Sequence, residues 1–362
     1  MRIVMHVFPS FVLGGSQSRF LRMIAHWPAD IDHRVVSMDA RLDAAAMIPA
    51  GATVRTIAFR AIKGGGLANR RALRALIGEV GPHCVVTYNW GAVEAMVANW
   101  PRITRHLHVE DGFGPDEIDR RLRRRSIARA LALRLTGARV LVPSRTLADI
   151  AAVEWAATGR RQAFVPNGVR LPASDDPAAS IPGLDPSWID SRLLIGSVGA
   201  LRREKRFDRL IDTLRDLPDC VAAIAGEGPE RAALEARAAE AGVADRFRLL
   251  GQMADPSALY RALDVFVLSS DTEQLPMAML EAMAHGLPVA ATAVGDVPIV
   301  LSAANAPFAV GRDAAALAAA IRTLGADPVL RRTLGAANRS RVATDYAFET
   351  MCERWLALML GD

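Results

Sequence analysis

Glu273 and Glu281 stand eight residues apart within Asp264–Val289, DVFVLSSDTEQLPMAMLEAMAHGLPV. A carboxylate accepts paired hydrogen bonds from vicinal hydroxyls, so two of them flanking a diphosphate suit a ligand with a sugar at one end and a ribose at the other. The stretch between them supplies a phosphate site. Val265, Phe266, Val267 and Leu268 read as a buried parallel strand, and a polar loop leads from them to Pro276. Pro276 suits the first helical position; the helix runs on through Met279, Leu280 and Met283 and stops at Gly286, before Pro288. Leu275 has no side chain that could cap it. The N–H groups of Met277 and Ala278 therefore face the mouth of the strand end, where an anion binds well. With a rise of about 1.5 Å per residue, Glu281 lies roughly 7 Å along the axis from Pro276, while Glu273 sits on the other side, in the loop. Two acids on a solvated turn would show the same spacing, so the elements around them decide.

Strand-like runs alternate with helical periods throughout: RIVMHVF, RVVSM, TVRTIAF, HCVVTY, RHLHVED, RVLVPS and AFVPNG, then LLIGSVGAL, VAAIAGEG, FRLLGQ, VFVLSS and PVAATAVG. Alternating β and α elements imply parallel sheets covered on both faces. Twelve such runs in 362 residues exceed one comfortable sheet. The composition breaks after VPNGVRL, in the Pro/Asp/Ser-rich run Pro172–Asp190. The reading is an α/β chain with two doubly wound, Rossmann-like domains facing each other across a cleft. They span residues 1–170 and 191–345, with a linker over 171–190.

Composition narrows the function classes. Half the residues are apolar (51%) and 23% are charged, which marks a globular chain. Cys84, Cys220 and Cys352 are scattered and odd in number, so neither a disulfide frame nor a metal spacing is present and a reducing cytoplasm fits. The opening MRIVMHVFPSFVLGG has only Arg2 as a basic start and no small-x-small cleavage site; it reads as strand plus glycine loop rather than as a signal peptide. No apolar run reaches the length of a membrane span. The net charge of +5 hides a split: residues 1–168 hold 24 basic and 13 acidic side chains, and the remainder holds 20 and 26. Gly14-Gly15-Ser16-Gln17 follows a strand and opens an amphipathic helix, with Ser16 as a candidate cap; a tight turn explains the glycines equally well. Neither this loop nor GEGPER at 226–231 is a G-x-G-x-x-G fingerprint, and no Walker A sequence occurs, which argues against a dehydrogenase and a P-loop NTPase. No nucleic-acid reading module is present.

In this order the pieces resemble the retaining glycosyltransferases of family four, with the GT-B fold, nearly end to end. HVFPSFVLGGSQ looks like that family's opening strand and loop, VPNGV like the exit from the first domain, and VGALRREKRFDRLIDTL like its V-G-R-L-x-x-x-K-G element. AGEGPER resembles the G-x-G-P turn, EQLPMAMLEAMAHGLPV the E-x7-E helix and TAVGDVP the loop beyond it. AFETMCERWLALML resembles the closing helix, so residues 346–362 are expected to return to the first domain. The resemblance implies that Glu281 binds the donor ribose and Glu273 the hydroxyls of the donor sugar. Backbone groups around Leu275, Pro276 and Met277 would take the phosphates, together with Lys205, which neutralises the departing diphosphate. Gly14 and Gly15 would approach from the other domain, and Gly226 belongs to the donor side. One departure stands out: the motif arginine is Ala200, so Arg202 or Arg203 is expected to supply that charge. The implied chemistry is glycosyl transfer with net retention, without a metal, cofactor or protein nucleophile. The leaving diphosphate helps to deprotonate the acceptor, and its charge is stabilised by fixed positive groups.

On the acceptor side, RHLHVEDGFGPDE ends a strand in Glu110 and Asp111, expected to touch the acceptor or the donor sugar, with His108 as a further candidate; an acidic helix cap is the alternative. Tyr88, Asn89 and Trp90 end another strand, where aromatics stack on sugars or simply pack a buried turn. The stretch Asp119–Leu135 interleaves Arg120, Arg121, Arg123, Arg124, Arg125, Arg129 and Arg134 with Leu122, Ile127, Leu131 and Leu135. A basic amphipathic helix of this kind suits an anionic membrane surface or a lipid-diphosphate acceptor. The expectation is a hexosyltransferase peripheral to the cytoplasmic face of a membrane, moving sugar from UDP- or GDP-sugar to a lipid-linked glycan, glycolipid or polysaccharide. The competing readings are a sugar-nucleotide epimerase of the same fold and a catalytically idle binding scaffold, which Ala200 keeps open.

Overall fold

The computed structural model describes residues 2–113, 117, 121–173, 180–189 and 192–361. It divides into two compact units, Met1–Pro166 with Thr350–Asp362, and Asn167–Glu349.

The first unit is built on strands β1 (Arg2–Phe8), β2 (Ile31–Ser37), β3 (Val54–Ala58), β4 (Cys84–Tyr88), β5 (Arg105–Val109), β6 (Arg139–Val142) and β7 (Gln162–Phe164). They pair in parallel in the order β3-β2-β1-β4-β5-β6-β7. Its helices are α1 (Gly15–Ile24), α2 (Gly66–Val80), α3 (Val93–Ala98), α4 (Arg123–Thr136) and α5 (Arg145–Glu154). The apolar runs are continuous where both faces are covered: every residue of β4 is buried, whereas edge strand β3 is half-exposed.

The second unit repeats the plan with β8 (Leu193–Val198), β9 (Cys220–Ala225), β10 (Phe247–Gly251), β11 (Val265–Leu268), β12 (Val289–Thr292) and β13 (Ala309–Val310). The order is β10-β9-β8-β11-β12-β13, again all parallel. Around it lie α6 (Phe207–Thr213), α7 (Arg231–Glu240), α8 (Ser257–Ala262), α9 (Met277–Ala284), α10 (Val297–Val300), α11 (Ala314–Ala326) and α12 (Pro328–Asp345). β13 is missing from the twelve runs read in the sequence, because two residues carry no periodicity. The last helix, α13 (Phe348–Leu360), joins the first unit from Thr350 onward. There Trp355 is buried and stacks on Tyr88, and the Trp27 indole N–H donates to the Cys352 carbonyl at 3.1 Å.

The division between the units falls earlier than the Pro/Asp/Ser-rich run expected to link them. Val169 N–H donates to Tyr346 O and Phe348 N–H to Val169 O, so the second unit is already under way at Asn167. Ile181, Leu184 and Trp188, inside that run, are buried in the core of the second unit. Three irregularly spaced anchors were hidden by a loop-like composition.

In each sheet the chain reverses direction of growth once, between β1 and β4 and between β8 and β11. At such a switch point the loops leaving two neighbouring strands diverge, and the carboxyl ends between them open a crevice. No helix among the described residues is long and apolar enough to cross a membrane.

Candidate active site

At the β8/β11 switch point, the loop after β8 carries Lys205 and the loop after β11 carries Glu273. Their side chains meet: Lys205 Nζ donates to Glu273 Oε1 at 2.6 Å, and Ser270 Oγ donates to the same oxygen at 2.7 Å. Glu273 is 9% exposed and Lys205 27%. The two loops are sewn together behind this pair. Ser269 Oγ donates to Lys205 O and Asp271 N–H to Glu204 O, both at 2.9 Å. Arg206 and Arg209 grip opposite oxygens of Asp271 at 2.8 and 2.6 Å, and Arg209 also donates to Ser269 O. Burial opposes the charge on Asp271, but the Arg209 and Arg206 guanidiniums outweigh it and hold the carboxyl below its usual range. None of Ser270, Asp271, Arg206 or Arg209 was singled out in the sequence. They surround the expected lysine and glutamate: Arg206 and Arg209 reach Asp271 across 65 and 62 residues, and Ser270 reaches Glu273 across three.

Two glycines permit this closeness. A Cβ on Gly295, which has φ +50°, would fall 1.9 Å from Glu273 O, so the TAVGDVP loop lies against the backbone of Glu273 only because that side chain is absent. A Cβ on Gly226 would likewise fall 1.9 Å from Gly199 O, and its N–H donates to Gly251 O at 2.8 Å. Gly226, expected among the donor-binding residues, thus sets the turn Gly199–Leu201 in place rather than presenting a free N–H.

Helix α9 begins at Met277, with Pro276 as its N-cap (φ −69°, ψ 115°) rather than its first helical residue. No side chain caps it and no acid lies in its first turn. The first intrahelical bond runs from Leu280 N–H to Pro276 O, so the N–H groups of Met277 and Ala278 precede it, as expected. Leu275 is buried and its carbonyl accepts from Asn167 Nδ2 at 3.3 Å. One turn on, Glu281 Oε2 accepts from the Tyr260 hydroxyl at 3.0 Å. Tyr260, buried on α8, was not anticipated; nothing in its local sequence points to Glu281. His285 Nδ1 donates to Glu281 O at 2.8 Å, and burial pushes this imidazole's pKa down. Arg202 and Arg203, expected to replace the charge missing at Ala200, are exposed and carry no ion pair among the described residues. No group of three or more His, Cys, Asp or Glu among the described residues is arranged to hold a metal ion.

The first unit has its own recess, of about 460 Å³, at the β1/β4 switch point. Gly15, Asn89, Trp90, Glu110, Asp111 and Arg125 line it. Gly14 is the N-cap of α1, and Gly15 has open space where a Cβ would stand. Ser16 does not cap, because its hydroxyl turns to Gln17 Oε1 at 3.1 Å. Asn89, at φ 55°, accepts from Asp111 N–H through Oδ1 at 2.8 Å. Asp111 is clamped bidentately by Arg19 at 2.6 and 2.9 Å and remains 19% exposed.

Other acceptor candidates are corrected. Tyr88 is fully buried, stacked on Phe8 with ring centres 4.0 Å apart, its hydroxyl 3.1 Å from His6 Nδ1; it belongs to the core. His108 is also fully buried, its Nδ1 2.9 Å from Thr87 Oγ1. Glu110 reaches the recess wall but is fully buried and accepts from Arg129 Nε at 2.8 Å; its other oxygen has no partner among the described residues. Arg125 and Arg129 cover the Trp90 ring, with guanidinium carbons 5.4 and 4.9 Å from its centre.

Those two arginines also correct the basic helix. It starts at Arg123, and Asp119 and Arg120 lie outside the described residues. Arg125 pairs with Glu117 at 3.0 Å and Arg121 with Glu154 at 2.7 Å, while Arg129 is buried. Ser126, Arg129, Leu133 and Thr136 share one inward face at helical spacing, the signal that could have separated Arg129 from its neighbours. Arg123 and Arg124 remain exposed, beside Ile127, Leu131 and Leu135.

Two parallel, doubly wound α/β units, one with a lysine–glutamate pair and an uncapped helix at its switch point, define a GT-B protein. The structure of Anabaena Alr3699/HepE in complex with UDP superposes with a TM-score of 0.79 over 100% of both chains at 17% identity, which speaks for the fold alone. Residues 186–341, within the second unit, match the family Glycosyl transferases group 1. The chain is 37% identical over 161 residues to the lipopolysaccharide core biosynthesis mannosyltransferase LpsB of Rhizobium meliloti (strain 1021), which covers 39% of this chain and 45% of that one. It is 30% identical over 170 residues to the lipopolysaccharide core biosynthesis glycosyltransferase LpsD of the same organism, covering 47% and 49%. The chain thus spans about half the length of these curated relatives.

Proposed function

We propose that this chain is a glycosyltransferase that moves a hexosyl unit, with retention, from UDP- or GDP-sugar to a glycolipid or lipid-linked glycan of the lipopolysaccharide-core kind. The observation that carries the reading is the Lys205–Glu273 pair beside the uncapped start of α9. In the reaction the bond from the sugar's anomeric carbon to the diphosphate breaks, the bond to the acceptor oxygen forms, and the acceptor proton leaves with the diphosphate. Lys205 and the N–H groups of Met277 and Ala278 stabilise the charge that builds on that leaving group. Glu273 holds hydroxyls of the sugar and Glu281, oriented by Tyr260, those of the ribose. Fixed protein charge takes the role a metal has in other transferases, so the reaction is proposed to be metal-independent. Asp111, held by Arg19, is the carboxylate proposed to meet the acceptor. The relatives' part in lipopolysaccharide core biosynthesis supports the acceptor class, and the UDP bound by the HepE structure supports the donor. The exposed Arg123, Arg124, Ile127, Leu131 and Leu135 support docking of α4 on the cytoplasmic face of an anionic membrane.

A thermal-shift panel of UDP, GDP, ADP and their sugars, with and without EDTA, tests the donor reading. A ligand at 100 times its dissociation constant adds about 2.7 kcal/mol of stability. Stabilisation by one uridine or guanosine pair, unchanged by EDTA, is the expected outcome. No shift with any of them would leave the idle scaffold as the better reading.

A further inference from the structure

A second hollow in the first unit, of about 330 Å³, lies where α4 meets the end of α5, away from the recess described above. Its walls are apolar: Ala130, Leu131, Leu133, Ala138, Trp155 and Ala157. Two guanidiniums, Arg134 and Arg161, complete the lining; both residues are exposed, and neither is paired with a carboxylate among the described residues. Trp155 is 1% exposed, yet its indole N–H has no acceptor among the described residues. From the rim, Leu131 continues a stripe of solvent-facing apolar side chains, Ile127, Leu131 and Leu135, exposed by 60, 62 and 47%.

These features select one kind of occupant. A sugar or a base would press its polar groups against alanine and leucine, with their hydrogen bonds unmade. A plain hydrocarbon would suit the walls but ignore the two guanidiniums of the lining. Arginine binds phosphate oxygens with paired N–H groups, and a small apolar hollow accepts methylene chain. At 330 Å³ the hollow sits at the lower end of ordinary small-molecule sites, about 300–1,000 Å³, so it takes a few methylenes and not a whole lipid. We infer that the hollow binds one anionic phospholipid, the start of an acyl chain against Trp155 and Leu133 and the phosphate between Arg134 and Arg161. The inference rests on the membrane reading of α4 and names the lipid class that this surface selects.

Titration of the full chain with monomeric dihexanoyl phosphatidylglycerol, below its micelle concentration, separates the hollow from the surface. Saturable binding by calorimetry is expected, with dihexanoyl phosphatidylcholine at least tenfold weaker. The double variant R134E/R161E, both changes at exposed positions, weakens phosphatidylglycerol binding at least tenfold, while R123E/R124E binds it as the parent does. Absence of saturable binding, or binding untouched by R134E/R161E, overturns the inference. Co-sedimentation with vesicles of phosphatidylcholine and phosphatidylglycerol reads the membrane claim separately. Monomer binding without vesicle binding supports the hollow and removes the membrane reading; vesicle binding without monomer binding does the reverse.

Discussion

Replacing Lys205 by methionine removes one end of a 2.6 Å ion pair and leaves the other end in place. Glu273, at 9% exposure, would keep the Ser270 hydroxyl as its remaining side-chain donor, at 2.7 Å. A hydrogen bond to a charged group contributes about 1.5–3 kcal/mol. Lys205 at 27% exposure keeps part of its hydration, so the lower part of that range applies, about 1.5–2 kcal/mol. For a unit the size of Asn167–Glu349, each kcal/mol moves the unfolding midpoint by about 2–4 °C, hence a fall of about 3–8 °C. Adding Glu273→Gln removes the orphaned charge, and the double variant should recover about 1 kcal/mol or more relative to additivity. Turnover follows a different rule. An electrostatic stabiliser of the leaving group contributes about 10²–10³ in kcat, and the second substitution does not restore it. Differential scanning calorimetry and a single-turnover assay read the two effects. A midpoint within 1 °C of the parent, strict additivity in the double variant, or parental kcat in Lys205→Met would refute the reasoning.

Acid should weaken the first unit. His6, His33 and His106 are buried there, and burial lowers the pKa of each, to about 4 for His33 and about 3 for His106; Asp32 beside His33 offsets part of the effect and His33 adds to it at His6. Because the folded values lie below the unfolded one, their stabilising contribution is complete above about pH 6.5 and is lost as pH falls through 4. By pH 4.5 His33 and His106 each cost about 2–3 kcal/mol. Urea midpoints of the first unit measured at pH 7.5 and 4.5 check this, and equal midpoints would contradict it. Arg129→Met should destabilise the same unit by about 3–5 kcal/mol, because Glu110 is then buried without its partner, whereas Arg124→Ala should stay within about 0.5 kcal/mol. Thermal unfolding of the two variants side by side is the measurement, and equal losses would undo the distinction drawn between these arginines.

Local periodicity determined much of this protein. Continuous apolar runs located the strands, because a parallel strand covered on both faces needs apolar residues at every position. The proline and glycine around α9 marked its ends, and spacing placed Glu273 and Glu281 on either side of its uncapped start. What periodicity could not carry were pairings between residues far apart in the chain. Lys205 and Glu273, and Arg206 and Asp271, meet only because the sheet order sets β8 beside β11, and Tyr260 meets Glu281 only because α8 and α9, on either side of β11 in the chain, come together. The seven arginines between 120 and 134 look alike in sequence. Packing sorts them: Arg129 goes inside to meet Glu110, while Arg123 and Arg124 stay in solvent. Tyr88 and His108 stand at or near strand ends, yet their side chains are buried in the core, since both faces of this parallel sheet are covered there. A sequence states which residues have the chemistry; which face each one turns to, and which distant partner it meets, is decided by the order of the strands.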